Sequence, residues 1–258
     1  MTQIELSVFS TVLGCPQRLC ALLPPADRVP AGGCAVLYLL HGFSDGCDSF
    51  LRYTALERYC ADLPLCVVMP DAGKSFYTDM RYGDAYWTYI SREVPQLAAA
   101  YLPISTSPAK TYVAGISMGG YGAAKLMLRQ PNAYAHAYLL SPVTDIVSVM
   151  KNGFDASLDP DAFTKEQLHL DTVFDPAALP GSENDLLSLL EAAQGPLPPV
   201  DLYSGTEDFL RSDILMFYEK LKRKGVQASF HEAAGTHGWA LWEPQLAQLA
   251  TDLGWEIL

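Results

Sequence analysis

The sequence predicts an α/β fold: a mostly parallel, doubly wound sheet with helices on both faces. Short, continuous apolar runs recur at 34–40, 65–69, 111–116 and 135–140. Such runs mark strands buried on both faces of a parallel sheet. Segments with helical periodicity alternate with them, as βαβ units require. Half of the 258 residues are hydrophobic, enough for a substantial core. No shift in composition divides the chain. One domain is therefore expected over 1–258, with 142–198 as a cap-like insertion before the strand at 200–204.

The elements follow in order. Ile4–Ser10 alternates apolar and polar residues, and Arg18–Leu23 returns as its hairpin partner. Pro24 through Gly33 reads as a loop. The strand at 34–40 precedes a polar loop and a helix expected over 48–61. After the strand at 65–69, helical periodicity runs over 84–101, with a bend or break near Pro95. The strand at 111–116 leads into a helix that ends before Pro131, and a strand follows at 135–140. Residues 142–198 are rich in Asp, Pro, Asn and Gly and hold one convincing helix near 183–194. A strand at 200–204, a helix at 211–224, a strand at 226–231 and a helix at 239–254 complete the pattern.

The net charge of −12 argues against nucleic acid or an anionic membrane as partner. No apolar run approaches the length of a membrane span. The residues after Met1 lack a basic segment followed by a long apolar one, so no signal peptide is expected. Six cysteines show no Cys-x-x-Cys spacing. Free thiols in a reducing cytoplasm are expected, a Cys15–Cys20 disulfide being the minor alternative. Oligomeric state is left open.

The chemistry centres on Gly115-Ile116-Ser117-Met118-Gly119. A β-branched and aromatic run precedes this serine, and a small-residue helix start follows it. That is the strand–turn–helix setting in which a Gly-x-Ser-x-Gly turn exposes a hydroxyl. Glycines fit where the sharp turn leaves no space for a Cβ. The helix start at Met118 would direct free N–H groups at an anion formed on Ser117. The motif alone is weak, since about one chain in ten of this length would hold one by chance. Partners must discriminate.

In such a sheet, active residues gather at the carboxyl ends of strands. Gly205-Thr206-Glu207-Asp208 follows one strand and offers an acid; Gly235-Thr236-His237-Gly238 follows another and offers an imidazole. The order Ser, Asp, His is that expected of an α/β-hydrolase. A serine needs a base to take its proton, histidine can do so near neutral pH, and a carboxylate fixes the imidazole tautomer. His237 is favoured over His231, which closes a strand. Asp208 is favoured over Asp213, which falls inside a helix, while Glu207 stays open because spacing does not separate neighbours. The backbone N–H groups of Met118 and Phe43 are the expected oxyanion donors, the latter from the loop His41-Gly42-Phe43-Ser44. His41 is read as a residue that holds this loop.

Two motifs lead nowhere. Gly73-Lys74-Ser75 resembles the end of a phosphate loop, but Val68 stands where that motif requires glycine. Asp155, Asp159 and Asp161 are too irregular for a calcium loop. No zinc-type spacing appears.

Five stretches together carry a family resemblance: Tyr38–Ser44, Pro70–Asp79, Ala114–Ala123, Gly205–Leu210 and Gly235–Trp239. In order and over nearly the whole length, they resemble the esterase D family of α/β-hydrolases, and within it the tributyrin-esterase-type carboxylesterases. The resemblance implies a serine hydrolase without metal or cofactor, acting on short acyl esters. Aryl and acetylated-sugar esters are further options. It carries over Ser117, Asp208 and His237 as the triad, and Phe43 and Met118 as oxyanion donors. It also implies that 70–79 lines the site; Phe76, Tyr77 and Trp239 are candidates to touch substrate. An acyltransferase or an S-formylglutathione-type thioester hydrolase would use the same triad. Against the latter, the cysteine of this loop is displaced to Cys47. The 142–198 insertion is where such enzymes set substrate preference.

Overall fold

A computed structural model of the protein describes residues 1–154 and 163–257. Asp155, Asp159 and Asp161 lie outside the described residues. The chain builds one eight-stranded sheet: β1 (Thr2–Ser10), β2 (Cys15–Leu23), β3 (Ala35–Leu40), β4 (Leu65–Pro70), β5 (Thr111–Ile116), β6 (His136–Leu140), β7 (Val200–Gly205) and β8 (Ala228–Ala233). Its order is β1-β2-β4-β3-β5-β6-β7-β8. β1 and β2 form an antiparallel hairpin, and β2 adds antiparallel to β4. All other pairs are parallel.

The apolar runs are buried on both faces. In β3, Val36, Tyr38 and Leu40 pack into one core, and Leu37 and Leu39 into the other. The first core receives α4 (Val94–Tyr101), α5 (Met118–Arg129) and α10 (Arg211–Arg223); the second receives α1 (Ser49–Tyr53), α2 (Leu56–Tyr59) and α11 (Trp239–Ile257). Small residues at Gly119, Gly120, Gly122, Ala123 and Ala124 bring α5 close to the sheet, and all five are buried. Among the described residues no helix is long and apolar enough to cross a membrane.

Two helices differ from expectation. The segment at 48–61 is two short turns, α1 and α2. Thr54 separates them: it is extended, and its Oγ1 donates to the Phe50 carbonyl at 2.6 Å while accepting the Leu56 N–H at 3.2 Å. A threonine that satisfies backbone groups this way competes with the helix. The second helical segment starts at α3 (Tyr86–Thr88), passes through a π-turn at Tyr89–Glu93 and continues as α4. The break thus falls before Pro95, which lies in the first turn of α4, where its missing N–H is tolerated. Glu93 of the π-turn is buried. It accepts the Ser10 hydroxyl and, at 2.7 Å, the Thr11 N–H, fastening the β1–β2 turn to the helix.

Within 142–198 lie α6 (Ile146–Asn152), α7 (Lys165–Leu168), α8 (Leu170–Val173) and α9 (Leu186–Ala192). Asp185 caps α9 by accepting the N–H groups of Leu187 and Ser188. The order of the sheet reverses between β3 and β5. Loops leaving their carboxyl ends diverge there and leave a crevice. The loop from His41 and the turn at Ser117 flank it.

Candidate active site

The turn after β5 is built by exclusion. A Cβ on Gly115 would stand 2.3 Å from the Gly119 carbonyl carbon, and one on Gly119 would stand 2.0 Å from the Leu40 oxygen. No side chain fits at either place. Between them Ser117 is held at φ 54°, a region non-glycine residues rarely occupy. Its N–H donates to Leu140 O at 2.9 Å, and its carbonyl accepts the Tyr121 N–H at 3.0 Å. α5 starts at the next residue, so the N–H groups of its first turn have no helical acceptor.

Asp208 arrives from the loop after β7 and is buried. Its two carboxylate oxygens each lie 3.1 Å from His237 Nδ1, and Oδ1 accepts the Leu210 N–H at 2.9 Å. Burial pushes the Asp208 carboxyl up, but hydrogen bonds from His237, Ser141 and Leu210 outweigh it and hold the group below its ordinary value. An ionised carboxylate only accepts, so His237 Nδ1 carries a proton. His237 Nε2 is then free to accept the Ser117 hydroxyl, 2.9 Å away. The imidazole lies between Phe209, with ring centroids 4.5 Å apart, and the edge-on Trp242 at 4.9 Å.

The structure separates the alternatives that spacing left open. Glu207 points away from His237: it accepts the Gly235 N–H at 2.7 Å, and its own N–H donates back to Gly235 O at 3.2 Å. Asp213 lies in the first turn of α10. His231 contacts Asp201 at 3.1 Å and stacks on Tyr203. His41 is buried with both nitrogens engaged by backbone. Nε2 accepts the Ala72 N–H at 3.0 Å, so Nδ1 bears the proton and donates to Gly42 O at 2.7 Å. Asp71 lies 3.7 Å from the same Nε2, too far to compete with Ala72.

A cavity of about 230 Å³ opens beside Ser117. Ser117, Met118, Phe43, Phe76, His237 and Trp239 all line it. Tyr77 does not. It is fully buried behind the wall, and its hydroxyl donates to His41 O at 2.9 Å. Phe76 and Tyr77 both hold positive φ. Beneath them the buried Lys125 donates to Tyr77 O at 3.2 Å and to Thr78 Oγ1 at 2.9 Å, which holds this strained turn in place. Sequence reasoning missed Val143, Phe154, Phe163, Leu168, Phe209 and Trp242, which line it too. Phe154, Phe163 and Leu168 come from the 142–198 stretch, whose sequence carries no periodicity there to mark an inward face. Trp242 was reachable, lying three residues beyond Trp239 on one helix face. Among the described residues no group of three or more His, Cys, Asp or Glu could hold a metal ion. The cysteines are free thiols; Cys20 faces not Cys15 but Cys47, with sulfurs 3.3 Å apart.

An eight-stranded, mostly parallel sheet with a serine turn, an acid loop and a histidine loop at its carboxyl edge defines the α/β-hydrolase class of serine hydrolases. The chain belongs to the Esterase family, whose model matches residues 10–186. The structure resembles that of FphF, a fluorophosphonate-binding serine hydrolase of Staphylococcus aureus. The TM-score is 0.85 with 31% identity, over 100% of this chain and 98% of that one. It also resembles an S-formylglutathione hydrolase, FrmB, of the same organism, with a TM-score of 0.81 and 30% identity over 100% and 99% of the two chains. An acetyl esterase of Caldicellulosiruptor saccharolyticus is 24% identical, covering 96% of each chain. The protein is a carboxylic ester hydrolase.

Proposed function

We propose that the protein hydrolyses short-chain acyl esters through an acyl-Ser117 intermediate. The observation that carries this is the line of contacts from Ser117 Oγ to His237 Nε2 at 2.9 Å and from His237 Nδ1 to Asp208 at 3.1 Å. Ser117 Oγ attacks the ester carbonyl carbon while His237 takes its proton. The N–H groups of Met118 and Phe43 receive the oxyanion. Collapse breaks the C–O bond to the alcohol, which leaves with the proton from His237. Water then attacks the acyl carbon and gives its proton to His237; collapse breaks the C–Oγ bond, releasing the acid as Ser117 Oγ takes that proton back. Asp208 stays ionised and stabilises the imidazolium.

The Phe43 role draws support from His41. The Gly42 carbonyl accepts both the His41 Nδ1–H and the Asp45 N–H. In a planar trans peptide the N–H points opposite to the carbonyl, so the Phe43 N–H faces away from His41.

Substrate class follows from the cavity. At about 230 Å³ it lies below the range of pockets for drug-sized ligands. Seven Phe and Trp rings line it, which suits a small acyl or aryl group. The acetyl esterase relative accords with this reading. Residues 142–198 act as a cap that sets acyl preference, since Val143, Phe154, Phe163 and Leu168 supply one wall. The partner is a small-molecule ester. The free thiols accord with a reducing, cytoplasmic location.

The test is turnover of p-nitrophenyl esters from acetate to octanoate, with methyl ferulate alongside, by wild type and Ser117→Ala. Activity should peak at short acyl chains and fall by about 10⁴-fold or more in the variant. Equal activity in both proteins would remove Ser117 as the nucleophile.

A further inference from the structure

A second strained serine stands beside the first. Ser141 directly follows β6, as Ser117 directly follows β5, and Ile116 pairs with Leu140 across those strands. Ser141 is held at φ 44° and is fully buried. Glycine would occupy that backbone conformation without strain. A hydroxyl kept there points to a use for the hydroxyl.

Its contacts fix the direction of its hydrogen bonds. The Ser141 N–H donates to Tyr203 O on β7 at 2.8 Å, which places the residue between the serine turn and the acid loop. Trp242 Nε1–H donates to Ser141 Oγ at 3.0 Å. An indole N–H can only donate, so the Ser141 O–H remains free to donate onward. Asp208, an acceptor when ionised, is the group this hydroxyl acts on: Ser141, after His237, helps hold its carboxyl below the ordinary value. Trp242 also meets the reacting group directly. Its ring stands edge-on to His237, with centroids 4.9 Å apart at 86°. One tryptophan therefore touches the imidazole with its ring and the Ser141 hydroxyl with its N–H.

We propose that Trp242 and Ser141 form a donor relay, Trp242 N–H to Ser141 Oγ and Ser141 O–H to Asp208, that fixes the carboxylate and limits its pull on His237. Both are positioning residues, and the inference rests on the Ser117–His237–Asp208 reading above. His237 Nδ1 sits 3.1 Å from both oxygens of Asp208, so that contact alone does not choose a rotation of the carboxylate. The Leu210 N–H, 2.9 Å from Oδ1, makes that choice, and the relay adds a side-chain donor to the hold. The relay also shares the negative charge of Asp208. Without it, more of that charge bears on His237, which favours the imidazolium and makes the base harder to free.

The experiment compares Ser141→Ala, Ser141→Gly, Trp242→Phe and the double variant Ser141→Ala/Trp242→Phe with wild type and Ser117→Ala. The readouts are kcat and KM on p-nitrophenyl acetate and the pH profile of kcat/KM, whose acid limb reports the base in the free enzyme. Ser141→Ala and Ser141→Gly should both lose about tenfold in kcat with KM changed less than about twofold. Their acid limbs should move up by about 0.5 pH units. Trp242→Phe should move the limb the same way by less, and adding it to Ser141→Ala should move the limb no further. A Ser141→Gly protein with wild-type kcat and limb would reduce the serine to a backbone role and overturn the relay. So would a kcat loss with an unmoved limb. If the Ser141 variants do not fold, Trp242→Phe decides, and an unmoved limb there overturns the relay. Ser117→Ala separates the two readings. Activity retained in that variant defeats the active-site assignment itself, whereas activity lost there with normal Ser141 variants defeats the relay alone.

Discussion

Two of the imidazoles that meet carboxylates, His237 and His136, differ in what faces the second nitrogen. At the carboxyl edge of the sheet, His237 meets Asp208 on one side and the Ser117 hydroxyl on the other. At the start of β6, His136 has carboxylates on both sides. Its Nδ1 lies 2.7 Å from Glu256 near the end of α11, and its Nε2 lies 3.0 Å from Asp201 of β7. The Asp201 contact is an ion pair off the hydrogen-bond line. Burial works against charge on His136, but Asp201 and Glu256 prevail and raise it to about 9. The ring is therefore an imidazolium at neutral pH, with no lone pair to take a proton. Asp201 is correspondingly pulled to about 2, because His136 and His231 outweigh its burial. One carboxylate leaves histidine a nitrogen free to accept a proton; two make it a clamp. Here the clamp ties the last helix to the sheet.

Asp208→Asn should give the largest effect that tests this contrast. It keeps the shape but lets the amide donate to Nδ1, which reverses the tautomer and turns Nε2 away from its task as acceptor. A kcat loss on the order of 10⁴-fold is expected, with Tm changed by only a few degrees. A small kcat loss would break the distinction between the two histidines. His136→Gln should do the reverse. Ester turnover should stay within about twofold of wild type. Stability should fall by about 2 kcal/mol as two carboxylates lose their cation, or about 4–8 °C in Tm.

The pH dependence of stability sharpens the same contrast. His136 titrates near 6.5 when unfolded and near 9 when folded. Its contribution is thus fully present below pH 6.5 and is lost as pH rises through 9. Thermal scans at pH 6.5 and 9.5 should show a drop in Tm in wild type that is smaller in His136→Gln; equal drops would refute the clamp. The smallest effect is expected at Glu207→Ala. This frees the Gly235 N–H and loosens the histidine loop, lowering kcat by about threefold with Tm nearly unchanged.

How much was legible in the sequence follows from what each residue answers to. Ser117 was readable because sterics around Gly115 and Gly119 are local, and a local rule shows in a pentapeptide. The parallel sheet was readable because burial on two faces writes itself as unbroken apolar runs. Spacing alone did not separate Glu207 from Asp208; the family resemblance named Asp208. The turn after β7 decides which of two adjacent carboxylates faces His237, and both fit the spacing. The break at Thr54 came from a side chain taking over backbone hydrogen bonds, which helical periodicity does not report. Tyr77 looked like a pocket residue beside Phe76. Positive φ at both residues turns one ring toward the cavity and the other beneath the loop at His41. Phe154 and Phe163 answer to tertiary packing, and nothing in their sequence neighbours announces it.

The reciprocal bonds between Glu207 and Gly235 have a consequence for how such a chain tolerates change. β8 is an edge strand, so the loop that follows it is held by a sheet neighbour on one side only. The Thr206 N–H to Ala233 O bond and the two Glu207–Gly235 bonds join the acid loop to the histidine loop at their bases. The excursion between them, through α10 and β8, is therefore bracketed by a fixed gate. Residues added or removed at the exposed end of that excursion, around Lys224 and Gly225, alter its length without altering the spacing of Asp208 and His237. That makes the α10–β8 turn a site for grafting a tag or a second module onto a working enzyme.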